Sequence, residues 1–343
     1  MNAIFDNTVL MIISGIVSIT VMVICADIAV AKLSGLAGYF RLSTTFVGVT
    51  VVSLATSIPE IVAHYTASIG ILSGLLNYKV SSAIVLGANI GSNVVQQTLI
   101  LAIVVFIAGR LQFKRYFLWK SIAPMIATHV LCIILGFDGT FSRIDGAILF
   151  GSFIAYNAFL YFDERKYYKE EDHGFNGDDE KPENVPHSAG QAWKDAGVSL
   201  ITIIITVLCS MVVLQVTERI VSLTGLGGSM IGVITLGVAS ALPELTTAVS
   251  GIRKGDTGIP LGTLIGSNVT NPLVAIGGGA LISTYWVPGP LIAWDLPWEI
   301  LSGMLLWVIL WNRDGNAGKK TAIYLTLMYV VYVTLRVTFF GAD

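Results

Sequence analysis

Residues 48–60 read GVTVVSLATSIPE and residues 232–244 read GVITLGVASALPE, the second lying 184 positions after the first. Another pair follows in the same order, LGANIGSNVVQ at 86–96 and LGTLIGSNVTN at 261–271, offset by 175. Two motifs that recur in order at nearly equal spacing mark an internal duplication, not a chance likeness of apolar helices. Each copy sets one glutamate, Glu60 or Glu244, directly behind a proline inside an apolar run. The chain of 343 residues is 54% hydrophobic and only 12% charged, about half the charge of an ordinary soluble domain. Its mean hydropathy is +0.77. These values exclude a soluble enzyme, a nucleic-acid binder and a disordered chain, and leave an all-α polytopic membrane protein.

A bilayer core of about 30 Å needs roughly 20 apolar residues per helix. Ten stretches meet that length, near 8–31, 43–74, 80–109, 117–136, 144–162, 196–217, 229–252, 257–283, 297–312 and 321–340. The basic residues orient them. With the N-terminus outside, the inner loops hold Lys32, Arg41, Arg110, Lys114, Arg115, Lys120, Arg165, Lys166, Lys169, Lys181, Lys194, Arg253, Lys254, Arg313, Lys319 and Lys320. Outside fall Lys79, Arg143, Arg219 and Arg336. Sixteen against four predicts ten transmembrane helices in the plasma membrane, with N-terminus and C-terminus both outside. The first run has no Lys or Arg ahead of it and reads as a span, not a signal peptide. Cys25, Cys132 and Cys209 sit far apart in apolar runs and read as packing residues.

Ten of the 22 acidic residues crowd into 163–195 beside Gly174, Gly177, Pro182 and Pro186. That composition predicts a mobile cytoplasmic linker. It divides the chain into a first five-helix repeat at 1–162, with its motif region at 48–97, and a second at 196–343, with its motif region at 232–272. Five is an odd number, so the second repeat must cross the membrane in the opposite sense. Inverted repeats with broken helices at mid-membrane are the mark of secondary transporters.

Near mid-membrane the spans present two acids, Glu60 and Glu244, at equivalent positions. A carboxylate there costs about 2.5–3.5 kcal/mol on insertion scales, and no Lys or Arg within either motif offers to pair with it. Both are therefore expected to be ion ligands or proton carriers. Pro59 and Pro243 each remove a backbone donor and clash with the carbonyl one turn earlier. The helices are expected to open over 53–56 and 237–240, freeing carbonyl oxygens beside the hydroxyls of Thr56, Ser57 and Ser240. Carboxylates, carbonyls and hydroxyls are hard donors that suit calcium or sodium, not zinc or copper. Gly91 and Gly266 permit close helix approach. Ser92, Asn93, Ser267 and Asn268 offer more oxygen or hydrogen-bond between helices. Gln96 and Asn271 follow each serine by four residues, one turn along the same face.

These paired motifs resemble the α-repeats of the cation/calcium antiporter superfamily, and most closely those of its prokaryotic sodium/calcium exchangers. The likeness covers both halves. It implies a ten-helix fold with a calcium site between the repeat glutamates and sodium sites flanking it. On this chain it implies that Glu60 and Glu244 bind calcium with the backbone carbonyls of Thr56 and Ser240. It assigns sodium to the carbonyls of Ser53 and Gly237 with Ser57, Ser92 and Ser267, while Gln96 and Asn271 complete the set. The chain departs from the pattern at three places. Ala241 stands where the second T-S pair has its serine, Gln96 replaces an asparagine, and Asn271 replaces an aspartate.

The expected function is exchange of Ca2+ for Na+ by alternating access, one helix pair sliding against the remaining bundle. The expected partners are the transported ions and the lipid bilayer, with no cofactor, no nucleic acid and no enzymatic step. Exchange driven by H+, for Ca2+ or another divalent ion such as Mg2+, stays open because Ala241, Asn271 and His64 pull that way. His64 lies four residues after Glu60 and shares its helical face, where an imidazole suits a proton relay. A passive cation channel would need a continuous pore, which duplicated proline-broken sites do not suggest. A membrane hydrolase would need a nucleophile with a base or a catalytic metal, and no repeated His or Cys supplies one. His129 reads as structural.

Overall fold

The computed structural model describes residues 7–39, 53–113, 115, 118–170, 185–253 and 258–343. Helix α1 spans Thr8–Tyr39, α2 comprises Ser53–Thr56 and Ile58–Leu72, α3 spans Tyr78–Ala108, α4 Leu118–Gly136 and α5 Arg143–Glu170. Then come α6 at Ala189–Thr224, α7 at Gly228–Arg253, and α8 at Gly258–Thr270 continued by Asn271–Ile276 and Gly277–Ile282. Helices α9 at Leu291–Asn312 and α10 at Lys319–Phe339 follow. Among the described residues, eight helices are long and apolar enough to cross a membrane. Helix α3 is largely buried, whereas α1 and α6 expose rows such as Ile13, Ile16 and Val17, or Leu200, Ile201, Ile204 and Leu208. Apolar faces of that extent are stable against hydrocarbon, not water, and the chain is a polytopic, mainly helical membrane protein.

Among the described residues, two short antiparallel ladders interrupt the helical pattern. Strand β1, Arg110–Gln112 after α3, pairs with β4, Asn316–Gly318 before α10. Strand β2, Thr140–Phe141 after α4, pairs with β3, Tyr285–Trp286 after α8. Paired strands hold the α3–α4 and α9–α10 loops at one end of the bundle, and the α4–α5 and α8–α9 loops together in the same way. A repeat that matches α3 to α8 and α4 to α9 exchanges the two ladders. Cations lie over aromatic rings beside them, Arg115 over Trp311 at 5.0 Å and Lys79 over Trp286 at 5.4 Å, as in the aromatic belts of membrane interfaces.

Several expectations need correction. Helix α5 runs on to Glu170 and α6 starts at Ala189, so both flanks of the predicted 163–195 linker are helical. Once a span has nucleated a helix, each further residue adds a hydrogen bond at little cost, even through charged sequence. The acids at 171–184, and residues 40–52 with the start of the first motif, lie outside the described residues. Asp195, counted with the linker, is buried in α6 and pairs with Lys32 of α1 at 2.8 Å.

Glu60 and Glu244 are not the only acids within the bundle, because Asp295 and Glu299 of α9 are fully buried as well. Arg336, counted above with the outside bases, is buried on α10, where its Nε donates to both Asp295 oxygens at 3.0 Å. Tyr332 donates to Asp295 Oδ1 at 2.6 Å, and Arg336 Nη2 donates to Ser229 Oγ at 2.6 Å. Helix α9 starts at Leu291 with a wide turn over Leu291–Asp295, earlier than the apolar run suggests, and this brings Asp295 into the bundle.

Candidate cation site

Helices α2 and α7 break at single residues, not over four. Ser57 has φ −80° and ψ 5°, and Ala241 has φ −81° and ψ −2°. The segments Ser53–Thr56 and Gly237–Ser240, expected to be open, are short helical turns. A proline withholds one donor and creates one clash, and a single residue in the bridge region of backbone space absorbs both. The Ser53 carbonyl accepts from Ser57 N at 3.0 Å and from Thr56 Oγ1 at 3.1 Å. The Gly237 carbonyl accepts a long bond of 3.4 Å from Ser240 Oγ.

Helices α3 and α7 touch backbone to backbone at glycines. A Cβ on Gly91 would stand 2.6 Å from the Val233 Cα and carbonyl oxygen, and one on Gly237 would stand 2.8 Å from Ser92 N. This contact carries Ser92 to the break in α7. Gly91→Val is expected to cost about 1–3 kcal/mol through overpacking. The fall should appear in thermal unfolding in detergent, with Gly151→Val as the control because a Cβ there meets nothing within 4 Å. Gly266 is buried in α8. Helices α3 and α8 both widen into π turns, Gln96–Ile100 and Asn271–Ile276, which start at equivalent positions of the two motifs. Such turns are frequent at functional sites, and the residue pattern carries no local signal for them.

The side chains named by the motifs converge between α2, α3, α7 and α8. Ser92 Oγ donates to Glu60 Oε1 at 2.8 Å, Gln96 Nε2 donates to Ser92 Oγ at 3.0 Å, and Asn268 Nδ2 donates to Gln96 Oε1 at 3.0 Å. Hydroxyls meet across the repeats: Thr56 with Ser267 at 3.3 Å and Ser53 with Thr270 at 3.0 Å. Asn271 Nδ2 donates to Asn93 Oδ1 at 3.0 Å. Glu244 is buried beside Glu60, Thr56 and Ser267, while Ser240 neighbours Glu60. Among the described residues both Glu244 oxygens, Glu60 Oε2 and Ser57 Oγ have no hydrogen-bond partner.

His64 is held elsewhere. Its Nδ1 lies 3.2 Å from the Tyr285 hydroxyl, which also donates to the His64 carbonyl at 2.9 Å. Residues not singled out by the motifs extend the network. Gln97 Nε2 donates to Asn268 Oδ1 at 2.8 Å, Ser302 Oγ to Gln97 Oε1 at 3.0 Å, and Asn89 Nδ2 to the Asn271 carbonyl at 3.2 Å. Gln97 was visible as a second amide in an apolar run, but its repeat counterpart is Pro272, so a search for duplicated polar residues passes over it.

The family model described as sodium/calcium exchanger protein matches residues 10–162 and 194–338. The inner membrane protein YrbG of Escherichia coli is 25% identical over 320 residues, covering 93% of this chain and 94% of that protein. A structure of the sodium-calcium exchanger NCX_Mj superposes with a TM-score of 0.61 at 19% identity, over 96% of this chain and 99% of that one. The H+/Ca2+ exchanger CAX superposes with a TM-score of 0.73 at 15% identity, over 95% of this chain and 86% of that one. Both structures share the fold. With both repeats matched, the chain belongs to the sodium/calcium exchanger protein family, a transporter family of the cation/calcium antiporter superfamily.

Proposed function

We propose that this protein exchanges Ca2+ for Na+ across the plasma membrane by alternating access. The observation that carries the reading is the pair of buried repeat glutamates, three of whose four carboxylate oxygens have no hydrogen-bond partner among the described residues. Two carboxylates neutralise one divalent ion, and hard oxygen ligands suit it. Calcium binds between Glu60 and Glu244 with the carbonyls of Thr56 and Ser240. Sodium uses Ser57, Ser92, Ser267 and the carbonyls of Ser53 and Gly237, with Gln96 and Asn271 completing the set. Because the two ions need the same carboxylates, occupancy is mutually exclusive, which is the coupling an antiporter requires.

All ten helical stretches cross the bilayer in this reading, as inverted repeats at 1–162 and 196–343 around the linker near 163–195, with both termini outside. The exchange of the two strand ladders by the repeat supports the inversion. The side-by-side packing of α1 and α6, closed by Lys32 and Asp195, supports a sliding pair. The abundance of hydroxyls around the glutamates, Ser57 Oγ unpartnered among them, supports sodium.

Proton coupling is the second reading. It is favoured by the neutral Asn271, engaged with Asn93, and by the likeness to the H+/Ca2+ exchanger CAX. Uptake of calcium-45 into proteoliposomes under an imposed Na+ gradient, or an imposed pH gradient, separates the readings. Uptake driven by the Na+ gradient alone is expected. Uptake driven by the pH gradient alone selects the proton reading, and uptake indifferent to both overturns antiport in favour of a channel.

A further inference from the structure

Outside the cation core, α4 and α9 bring a second pair of titratable groups together. Glu299 Oε2 lies 3.2 Å from His129 Nε2, and both side chains are fully buried. Among the described residues neither Glu299 oxygen and neither His129 nitrogen has an aligned hydrogen-bond partner. Among the described residues the surroundings supply little charge. Cys132 of α4, Asp295 one turn earlier on α9 and Tyr332 of α10 are the titratable neighbours, and Asn93 of α3 adds an amide. From α8 the Asn268 backbone faces the imidazole. Arg336 of α10 is engaged by Asp295, and Lys120 of α4 sits over the Phe159 ring at 4.2 Å. His129 is thus the basic partner within contact of Glu299. An ionised carboxylate against a neutral imidazole is strongly disfavoured away from water. A pair that shares one proton is neutral, whether written as acid and imidazole or as carboxylate and imidazolium.

A directed chain of hydrogen bonds joins this helix to the cation core. Ser302, three residues after Glu299, donates Oγ to Gln97 Oε1 at 3.0 Å, with the Glu299 carbonyl as an alternative acceptor at 3.0 Å. The chain continues from Gln97 to Asn268, Gln96, Ser92 and Glu60. An ionised Glu60 only accepts, so the one proton of Ser92 points to it. Gln96 must then turn its amide N–H to Ser92 and its carbonyl to Asn268, and the constraint passes link by link to Ser302. A second route runs from Asn271 to Asn93, which lies beside Glu299.

We propose that His129 and Glu299 form a proton-binding site distinct from the cation core, linked to it through Ser302, Gln97, Asn268, Gln96 and Ser92. Entry of a cation at Glu60 and Glu244 favours transfer of the dyad's one proton to water: the O–H or N–H bond breaks, a hydronium ion forms, and the positive charge of the cation offsets that of the carboxylate left beside the neutral imidazole. The linkage rests on the antiport reading, whereas the dyad itself does not.

Infrared spectroscopy of the full chain in lipid tests the dyad without transport. On an E60Q/E244Q background, a protonated-carboxyl band that titrates with pH is expected to disappear on adding Glu299→Gln and to shift its midpoint on adding His129→Gln. If the triple variant carrying Glu299→Gln fails to fold, the His129→Gln shift decides alone. A band unaffected by the variants that fold overturns the site.

Counting protons released per Ca2+ bound tests the linkage. The wild type is expected to release one more than the Glu299→Gln protein, so that its apparent affinity varies up to about tenfold more per pH unit. Equal counts overturn the linkage. A wild type that binds no Ca2+ overturns the antiport reading and the linkage with it, leaving the infrared result to judge the dyad.

Discussion

Calcium uptake by the Glu244→Gln protein is expected to fall by more than about a hundredfold while the fold survives. Both Glu244 oxygens are buried without an aligned hydrogen-bond partner among the described residues, with the Thr56 and Ser267 hydroxyls beside them, so the carboxylate contributes little to holding the fold. A hydrogen bond to a charged group is worth about 1.5–3 kcal/mol, and a direct contact with a divalent ion in the same medium is worth at least as much. Two such contacts exceed roughly 3 kcal/mol, which is about two decades in affinity. The amide is nearly isosteric and removes a charge that is costly to bury, so the unfolding temperature without calcium should stay level or rise. Glu60→Gln is expected to lose uptake similarly. It also relaxes the constraint on Ser92, which no longer faces an obligatory acceptor. Proteoliposome flux and thermal unfolding on the same preparations check both statements. Undiminished uptake by both variants would remove the glutamates from the site.

Arg336→Met is expected to lower stability by about 3–5 kcal/mol, the usual cost of removing one partner from a buried ion pair. Asp295 would keep its bond from Tyr332 but lose the cation that makes its burial tolerable. Arg336 also reaches Ser229 at the start of α7, so the loss loosens α10 from both α9 and α7. Replacing both members, Arg336→Met with Asp295→Leu, should recover much of the loss, because apolar pairs of similar volume often replace buried ion pairs at no net cost. Thermal unfolding of the single and double variants measures this. A single variant as stable as the wild type would mean that the pair contributes nothing.

The sequence disclosed its helices because each span depends on a sum over neighbours along the chain. A run near 8–31 or 80–109 needs no partner to be recognised as apolar. The core of the candidate site was legible for a related reason. Duplication wrote Glu60 with Ser92 and Glu244 with Ser267 twice, and a costly carboxylate repeated at equivalent positions is a signal in one dimension. The width of the helix breaks is not written in the residue order, because proline chemistry states what bond is lost, while packing chooses how many residues adjust. Ser57 and Ala241 adjust alone.

Partner choice was the part only the folded chain decided. Asp295 and Arg336 are 41 residues apart, Glu299 and His129 are 170, and Lys32 and Asp195 are 163. None of these pairs has a repeated counterpart to announce it. In the linear reading Arg336 counts among the outside bases and His129 reads as structural. Hydrophobicity acts residue by residue and survives in the order of letters. Charge pairing acts through distances of about 3 Å, and those distances arise only when the helices are laid against one another.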